Sequence, residues 1–248
     1  MARIDLQNVF VEFPVYNVNS RSLKKQFLHL ATGGSVVQDA RQHVMINALN
    51  NITLTIQHGD RVGLIGHNGA GKSTFLRLLA CIYEPTRGDI TVDGNVSPML
   101  DLLQGIESEL TGYENIFIRG ALLGLKKSQI KAQVQEIATL TGLGDYLSMP
   151  TRTYSSGMLL RLAFAITVSI KPDILLIDEI FGTGDAEFRE KAQKKMISLL
   201  DESSIVIMAN HTDDIIKEFC NKVLLLEAGK IKYFGPVAEG LELYHKKN

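Results

Sequence analysis

Apolar and polar residues alternate from Ile4 to Val11 and again from Leu49 to Ile56, the period of a strand with one buried face. The first stretch reads as an edge strand. In the second, Leu49, Asn51 and Thr53 stand against Ile52, Leu54 and Ile56. Other apolar runs are uninterrupted: Arg61 to Ile65, Ile174 to Ile177, Ile205 to Ala209 and Val223 to Leu226. Such runs fit strands buried on both faces. Ile90 to Val92 reads as a further strand ended by Asp93-Gly94. Between the runs lie helical patterns. One is Ser73 to Ala80, and another is capped by Ser128, with Ile130, Val134, Ile137 and Ala138 on one face and Gly142, Gly144 and Pro150 at its exit. A third is the mostly apolar Met158 to Ile170. Strands alternating with helices predict an α/β fold built on a mainly parallel sheet. The helical middle third, about residues 105–165, reads as a subdomain. Residues 17–43 break the pattern: Arg21, Lys24 and Lys25 interleave with Leu23, Phe27, Leu28 and Leu30, predicting a short basic amphipathic helix before the loop-like Thr32-Gly33-Gly34-Ser35.

Composition narrows the classes of function. The chain has 248 residues, 45% of them hydrophobic, and 26 basic against 27 acidic residues give a net charge of -1. That suits one large α/β domain or two small ones and excludes intrinsic disorder. Near-neutral charge argues against a dedicated nucleic-acid binder, whose phosphate contacts demand a basic excess. Cys81 and Cys220 sit in apolar contexts without zinc-ligand spacing and read as small buried hydrophobes. Met1 to Asp5 lacks the apolar run of a signal peptide, and Leu162 to Ile170 is too short to span a bilayer. The expectation is a soluble, cytoplasmic chain that can dock on a membrane partner.

The chemistry concentrates at one loop. Gly66-His67-Asn68-Gly69-Ala70-Gly71-Lys72-Ser73 has the pattern of glycine, four residues, then Gly-Lys-Ser, between an apolar strand and a helix that continues through Thr74. Glycines let backbone amides encircle phosphate oxygens, and the helix start adds a favourable dipole. Lys72 supplies a point charge to the outer phosphates, and the Ser73 hydroxyl can reach Mg²⁺.

Two further places carry candidate groups. The strand Ile174 to Ile177 ends in Asp178-Glu179, at the strand end where ligands of parallel sheets collect. Asp178 is the candidate Mg²⁺ ligand, and Glu179 the candidate base that deprotonates a water attacking a γ-phosphate. His211 follows the strand Ile205 to Ala209 and could hydrogen-bond the same phosphate. Tyr154-Ser155-Ser156-Gly157-Met158 lies before a helix expected to begin near Leu159, where small hydroxyl residues cap the helix or bind phosphate.

With these motifs in this order, nearly the whole chain resembles the nucleotide-binding subunits of ATP-binding-cassette (ABC) transporters. In that family a Leu-Ser-Gly-Gly-Gln signature precedes the acidic strand end at the spacing of Ser156 to Asp178. The resemblance implies one nucleotide-binding domain over residues 1–248, with a mainly parallel sheet, an N-terminal antiparallel β region and a helical subdomain. It implies a head-to-tail homodimer that sandwiches ATP, with Ser155, Ser156 and Gly157 facing the γ-phosphate held by the partner's phosphate loop. Asp185, in Gly182-Thr183-Gly184-Asp185, would lie at the dimer seam, and Phe13 or Tyr16 would stack on adenine, with Phe13 favoured.

The chain also departs from the family pattern. Ser156 stands where most members carry Gly, and Met158 where they carry Gln. Of candidates for the glutamine that senses Mg²⁺, Asp101 lies nearest the expected place and Gln104 three residues late. These departures resemble the bacterial polysaccharide exporters of O-antigen, capsule and teichoic acid. The likeness rests on Glu109-Leu110-Thr111-Gly112-Tyr113-Glu114-Asn115, Tyr154 to Met158, Gly184-Asp185-Ala186-Glu187-Phe188 and the long insertion. That subgroup implies an integral membrane permease as partner, a lipid-linked polysaccharide as cargo, and a peripheral place on the cytoplasmic face of the inner membrane. Because the chain stops soon after Gly235-Pro236, the expectation is that the extra C-terminal glycan-binding domain of some members is absent. Arg21, Lys24 and Lys25 could then touch anionic headgroups or the glycan lipid, against the alternative of a solvated surface insertion. A cassette ATPase with another cargo, or a soluble one, is the alternative reading; a small-molecule kinase would leave Ser156 and Glu179 unused.

Overall fold

The computed structural model describes residues 1–15, 35–38, 44–178 and 186–246. Tyr16, Arg21, Lys24, Lys25, Glu179 and Asp185 lie outside the described residues, and so does the amphipathic helix expected around them in the insertion.

One sheet is built from β1 (Arg3–Val15), β2 (Ser35–Gln38), β3 (Val44–Gln57) and β5 (Arg87–Asp93), in the order β2-β3-β1-β5. Its paired strands run antiparallel. The sequence placed β1 at an edge; instead it is interior, with Ile4 paired to Ile56 on one side and to Val92 on the other. Its alternation reflects one buried face, on which Ile4, Leu6, Val9 and Val11 are at most 2% exposed. That face survives two bulges. Asn8 (φ 48°) and Asn51 (φ 54°) take left-handed backbone, which short polar side chains tolerate. Leu6 and Val9 therefore share a face, and so do Leu49 and Ile52, which a simple alternation had set on opposite sides.

The second sheet holds β4 (Arg61–Ile65), β6 (Val96–Met99), β7 (Ile174–Asp178), β8 (Ile205–Ala209), β9 (Lys222–Glu227) and β10 (Lys230–Pro236). Their order is β10-β9-β4-β8-β7-β6. β4 is parallel to both β8 and β9, and β10 returns antiparallel to β9. Val62, Leu64, Ile174 to Ile177 and Ile205 to Met208 are fully buried. Each such side chain contributes about 1.5–3 kcal/mol, so this layer is a rigid base for the loops at its strand ends.

The chain forms two compact units: Met1–Val96 with Leu176–Glu179 and Ser204–Asn248, and Ser97–Leu175 with Ile180–Ser203. The first includes helices α1 (Lys72–Leu79), α6 (Asp213–Phe219) and α7 (Val237–His245). The second includes α2 (Gly112–Leu122), α3 (Lys127–Thr141), α4 (Ser156–Val168) and α5 (Ala186–Glu202). Ile116, Ile130, Ile137, Leu143, Leu147, Leu162 and Ile166 form its core. The face expected on α3 is the packed one, and Gly142 (φ 64°) ends the helix. Ser128 does not cap it: the N-cap is Lys126, whose N–H donates to the Gln129 side chain at 2.8 Å.

The cysteines are less buried than expected. Cys81 is exposed at the end of α1 at φ 56°. Cys220 is half-buried, and burial pushes its thiol up to about 12. Among the described residues, no helix is long and apolar enough to cross a membrane.

Candidate nucleotide-binding site

β4 delivers the chain into the glycine loop at Gly66, and α1 leads it away. Two of its glycines are sterically required. At Gly66 (φ +147°) a Cβ would stand 2.3 Å from the Leu226 carbonyl oxygen, and at Gly71 (φ +108°) 2.7 Å from that of Ala48. Gly71 is the N-cap of α1, whose Phe75, Leu76, Leu78 and Leu79 are buried. No acidic residue occupies the first turn of α1, so its positive end is open to an anion. The loop closes on itself through the Ala70 N–H to the His67 carbonyl at 3.0 Å. His67, Asn68 and Gly69 are exposed at its tip, and Thr74 continues α1 half-buried. Lys72 Nζ donates to the carbonyls of Gly66 (2.6 Å) and His67 (3.3 Å), which curls the ammonium over the loop.

The acidic strand end meets this loop. Ser73 Oγ donates to the Asp178 carboxylate at 3.2 Å. A hydroxyl beside one carboxylate suits Mg²⁺, which keeps waters and phosphate oxygens in its shell rather than an all-protein cage. Among the described residues, no cluster of three or more His, Cys, Asp or Glu could hold a metal ion by itself. The parallel register pairs Leu64 with Ala209. Gly66 and His211, each two residues further on, thus leave adjacent strands at the same sheet end, and His211 is exposed there. Phe13, half-buried near the end of β1, packs edge-on against Tyr83 with ring centroids 5.3 Å apart. Sequence patterning missed Tyr83, because only the tertiary fold brings residue 83 to residue 13.

The signature segment belongs to the second unit. α4 begins at Ser156 rather than near Leu159: Ser155 is the N-cap, its Oγ accepting the Met158 N–H at 3.3 Å. Ser156 and Gly157 are exposed in the first turn. Asp101 lies in the same unit, in a turn after β6, where its carboxylate accepts the Leu103 N–H at 3.2 Å and its carbonyl the Gln104 N–H at 3.3 Å.

A glycine loop between a buried parallel strand and a helix, facing a serine–aspartate pair, defines a phosphate-binding α/β protein. The fold matches a dimeric ATP-binding cassette solved in a post-hydrolysis state with ADP and Pi: TM-score 0.67, 18% identity, 94% of this chain and 98% of that one. Residues 49–182 match the family model described as ABC transporter. The chain is 46% identical to the O-antigen export system ATP-binding protein RfbE of Yersinia enterocolitica, over 93% of this chain and 97% of the relative. It is 34% identical to the teichoic acids export ATP-binding protein TagH of Staphylococcus saprophyticus, over 98% of this chain and 88% of the relative. The chain belongs to the ABC transporter family.

Proposed function

We propose that this chain is the ATP-hydrolysing subunit of a membrane transporter that exports a lipid-linked cell-surface polysaccharide such as O-antigen. The observation that carries the ATPase reading is the contact of Ser73 with Asp178 beside the glycine loop. The export reading is supported by the names of the relatives, which are components of O-antigen and teichoic acid export systems. In this reading two copies associate head to tail. The amides of Gly66 to Thr74 and the Lys72 ammonium bind the phosphates of one ATP, and Ser155, Ser156 and Gly157 of the other copy close on its γ-phosphate. Ser73 and Asp178 would hold Mg²⁺, which would supply positive charge beside the phosphates. Glu179 takes the proton of the attacking water, His211 hydrogen-bonds the γ-phosphate, Phe13 stacks on adenine, and Asp185 lies at the seam. Closure does work because the γ-phosphate bridges surfaces that ADP cannot join. A permease in the inner membrane is the partner, which places this chain at the cytoplasmic face.

The test is Glu179→Gln. It is expected to retain ATP binding, to turn over at less than about a tenth of the parent rate, and to form a dimer with Mg-ATP in analytical ultracentrifugation. A monomer under those conditions, or faster turnover, overturns the reading. For the cargo, deletion of the gene should leave a surface polysaccharide accumulating inside the cell; normal surface polysaccharide overturns the export assignment.

A further inference from the structure

α2 carries two buried polar side chains one turn apart, Asn115 (0% exposed) and Arg119 (5%). Neither is a phosphate or metal group in the reading above. The Asn115 amide nitrogen lies 3.0, 3.2 and 3.0 Å from the carbonyls of Glu107, Leu110 and Thr111, and 3.5 Å from Thr151 Oγ1. Its amide oxygen accepts the Glu107 N–H at 2.7 Å. Thr151 reinforces the same join: its hydroxyl donates to the Glu107 carbonyl at 2.9 Å, and its N–H to the Leu110 carbonyl at 2.8 Å. Next to it, the Arg152 N–H donates to the Ser108 carbonyl at 2.9 Å. The segment that enters the signature is therefore zipped to residues 107–111.

Arg119 makes the second join. One guanidinium nitrogen donates to the Leu102 carbonyl, in the turn that carries Asp101, and another to Thr167 Oγ1 at 3.2 Å. Thr167 sits in the last turn of α4 and donates its own proton to the Ala163 carbonyl at 2.8 Å. A planar guanidinium can span two elements in fixed directions, which an apolar side chain of equal size cannot. Stability alone would favour the apolar side chain, since desolvating a charge is costly. Burial lowers the Arg119 pKa to about 10, the charge of Asp101 opposes the shift, and Nε has no hydrogen-bond partner among the described residues.

We propose that Asn115 and Arg119 are positioning residues that join the Leu102–Thr111 segment to the residues leading into the signature helix and to its last turn, so that Ser156 moves with that segment as one body. The inference rests on the reading that Ser156 closes on a partner's γ-phosphate. Movement of the Asp101 turn then passes through Arg119 to Thr167, and through Asn115 to Thr151, four residues before the N-cap Ser155.

The test uses Thr167→Val, which keeps the side-chain shape and removes the acceptor, together with Arg119→Met and Arg119→Lys. Three quantities are read on the full chain: affinity for a fluorescent ATP analogue, kcat, and Mg-ATP-driven dimerisation in the Glu179→Gln background. Thr167→Val and Arg119→Met are expected to lower kcat and weaken dimerisation by more than about threefold, the worth of one hydrogen bond, while analogue affinity stays within about twofold. Arg119→Lys keeps a donor for Leu102 and is expected to recover part of the loss. A folded Thr167→Val chain with a smaller loss overturns the proposal, and so does an equal loss of analogue binding. Should Arg119→Met fail to fold, Thr167→Val decides alone. If Glu179→Gln itself does not dimerise, the failure belongs to the functional reading and is seen before any of these variants is made.

Discussion

Ser73 Oγ and the Asp178 carboxylate, 105 residues apart in the chain, hydrogen-bond at 3.2 Å. The first follows the glycine loop into α1 and the second ends β7, so two loops on one sheet bring a hydroxyl and a carboxylate together. Asp178→Asn keeps the shape and an acceptor for Ser73 but removes the negative charge that favours a divalent cation. Fluorescent ATP-analogue titrations with and without Mg²⁺ should show the parent's gain from the metal reduced by about tenfold. An undiminished gain would remove Asp178 from the metal site.

Lys72 makes its loop contacts through its ammonium, at 2.6 Å from the Gly66 carbonyl. Phosphate oxygens offer the same ammonium a stronger, charged acceptor. Lys72→Ala should therefore cost little in melting temperature, because α1 is held by Phe75, Leu76, Leu78 and Leu79. Nucleotide affinity should fall by about tenfold or more. A large loss of stability with unchanged affinity would make Lys72 a structural residue.

What the sequence made legible follows from what dominates locally. The glycine loop and the central strands were readable because backbone geometry and two-sided burial each leave a dense local signature: Gly66 and Gly71 admit no Cβ, and Ile205 to Met208 have no exposed face. Strand order leaves no such signature, so β1 read as an edge while sitting between β3 and β5. β10 leaves no apolar run to read, because each of its residues is half-exposed or exposed, Lys230 and Lys232 among them. α2 was missed although Thr111 and Glu114 carry a helix-start pattern that the structure realises as a capping box. Tyr83 and Arg119 gain their meaning only from tertiary contacts with Phe13 and Thr167.

Phe13 and Tyr83 give a test of the adenine site. An edge-to-face aromatic pair is worth about 0.5–1.5 kcal/mol beyond area burial, enough to hold the Phe13 ring in one plane. Phe13→Ala should weaken ATP binding by about tenfold, and Tyr83→Leu by about threefold through the loosened ring. Triphosphate alone should bind both variants as it binds the parent. Unchanged ATP affinity in Phe13→Ala would transfer the stacking role to Tyr16.

The start of α2 predicts a pH dependence of stability. Glu114 accepts the Thr111 N–H at 2.8 Å, and that hydrogen bond, with the one from the Thr111 hydroxyl, holds its carboxyl below the ordinary value of about 4.3. A depressed folded pKa means that the contribution is complete above the unfolded value and is lost as pH falls through the lower, folded one. Glu114→Gln keeps an oxygen for the Thr111 N–H but carries no charge, so it should be less stable than the parent at pH 7. The gap should persist down to about pH 5 and close as pH falls below the ordinary carboxylate value and through the lower, folded one. Other carboxylates, Glu190 and Glu202 among them, are shifted the same way, so the parent's own acid transition cannot isolate this cap. The difference between variant and parent does, because shifts common to both cancel. Denaturant midpoints at a series of pH values measure it, and a gap that stays constant into the acid range would show that the charge of Glu114 contributes nothing to the helix start.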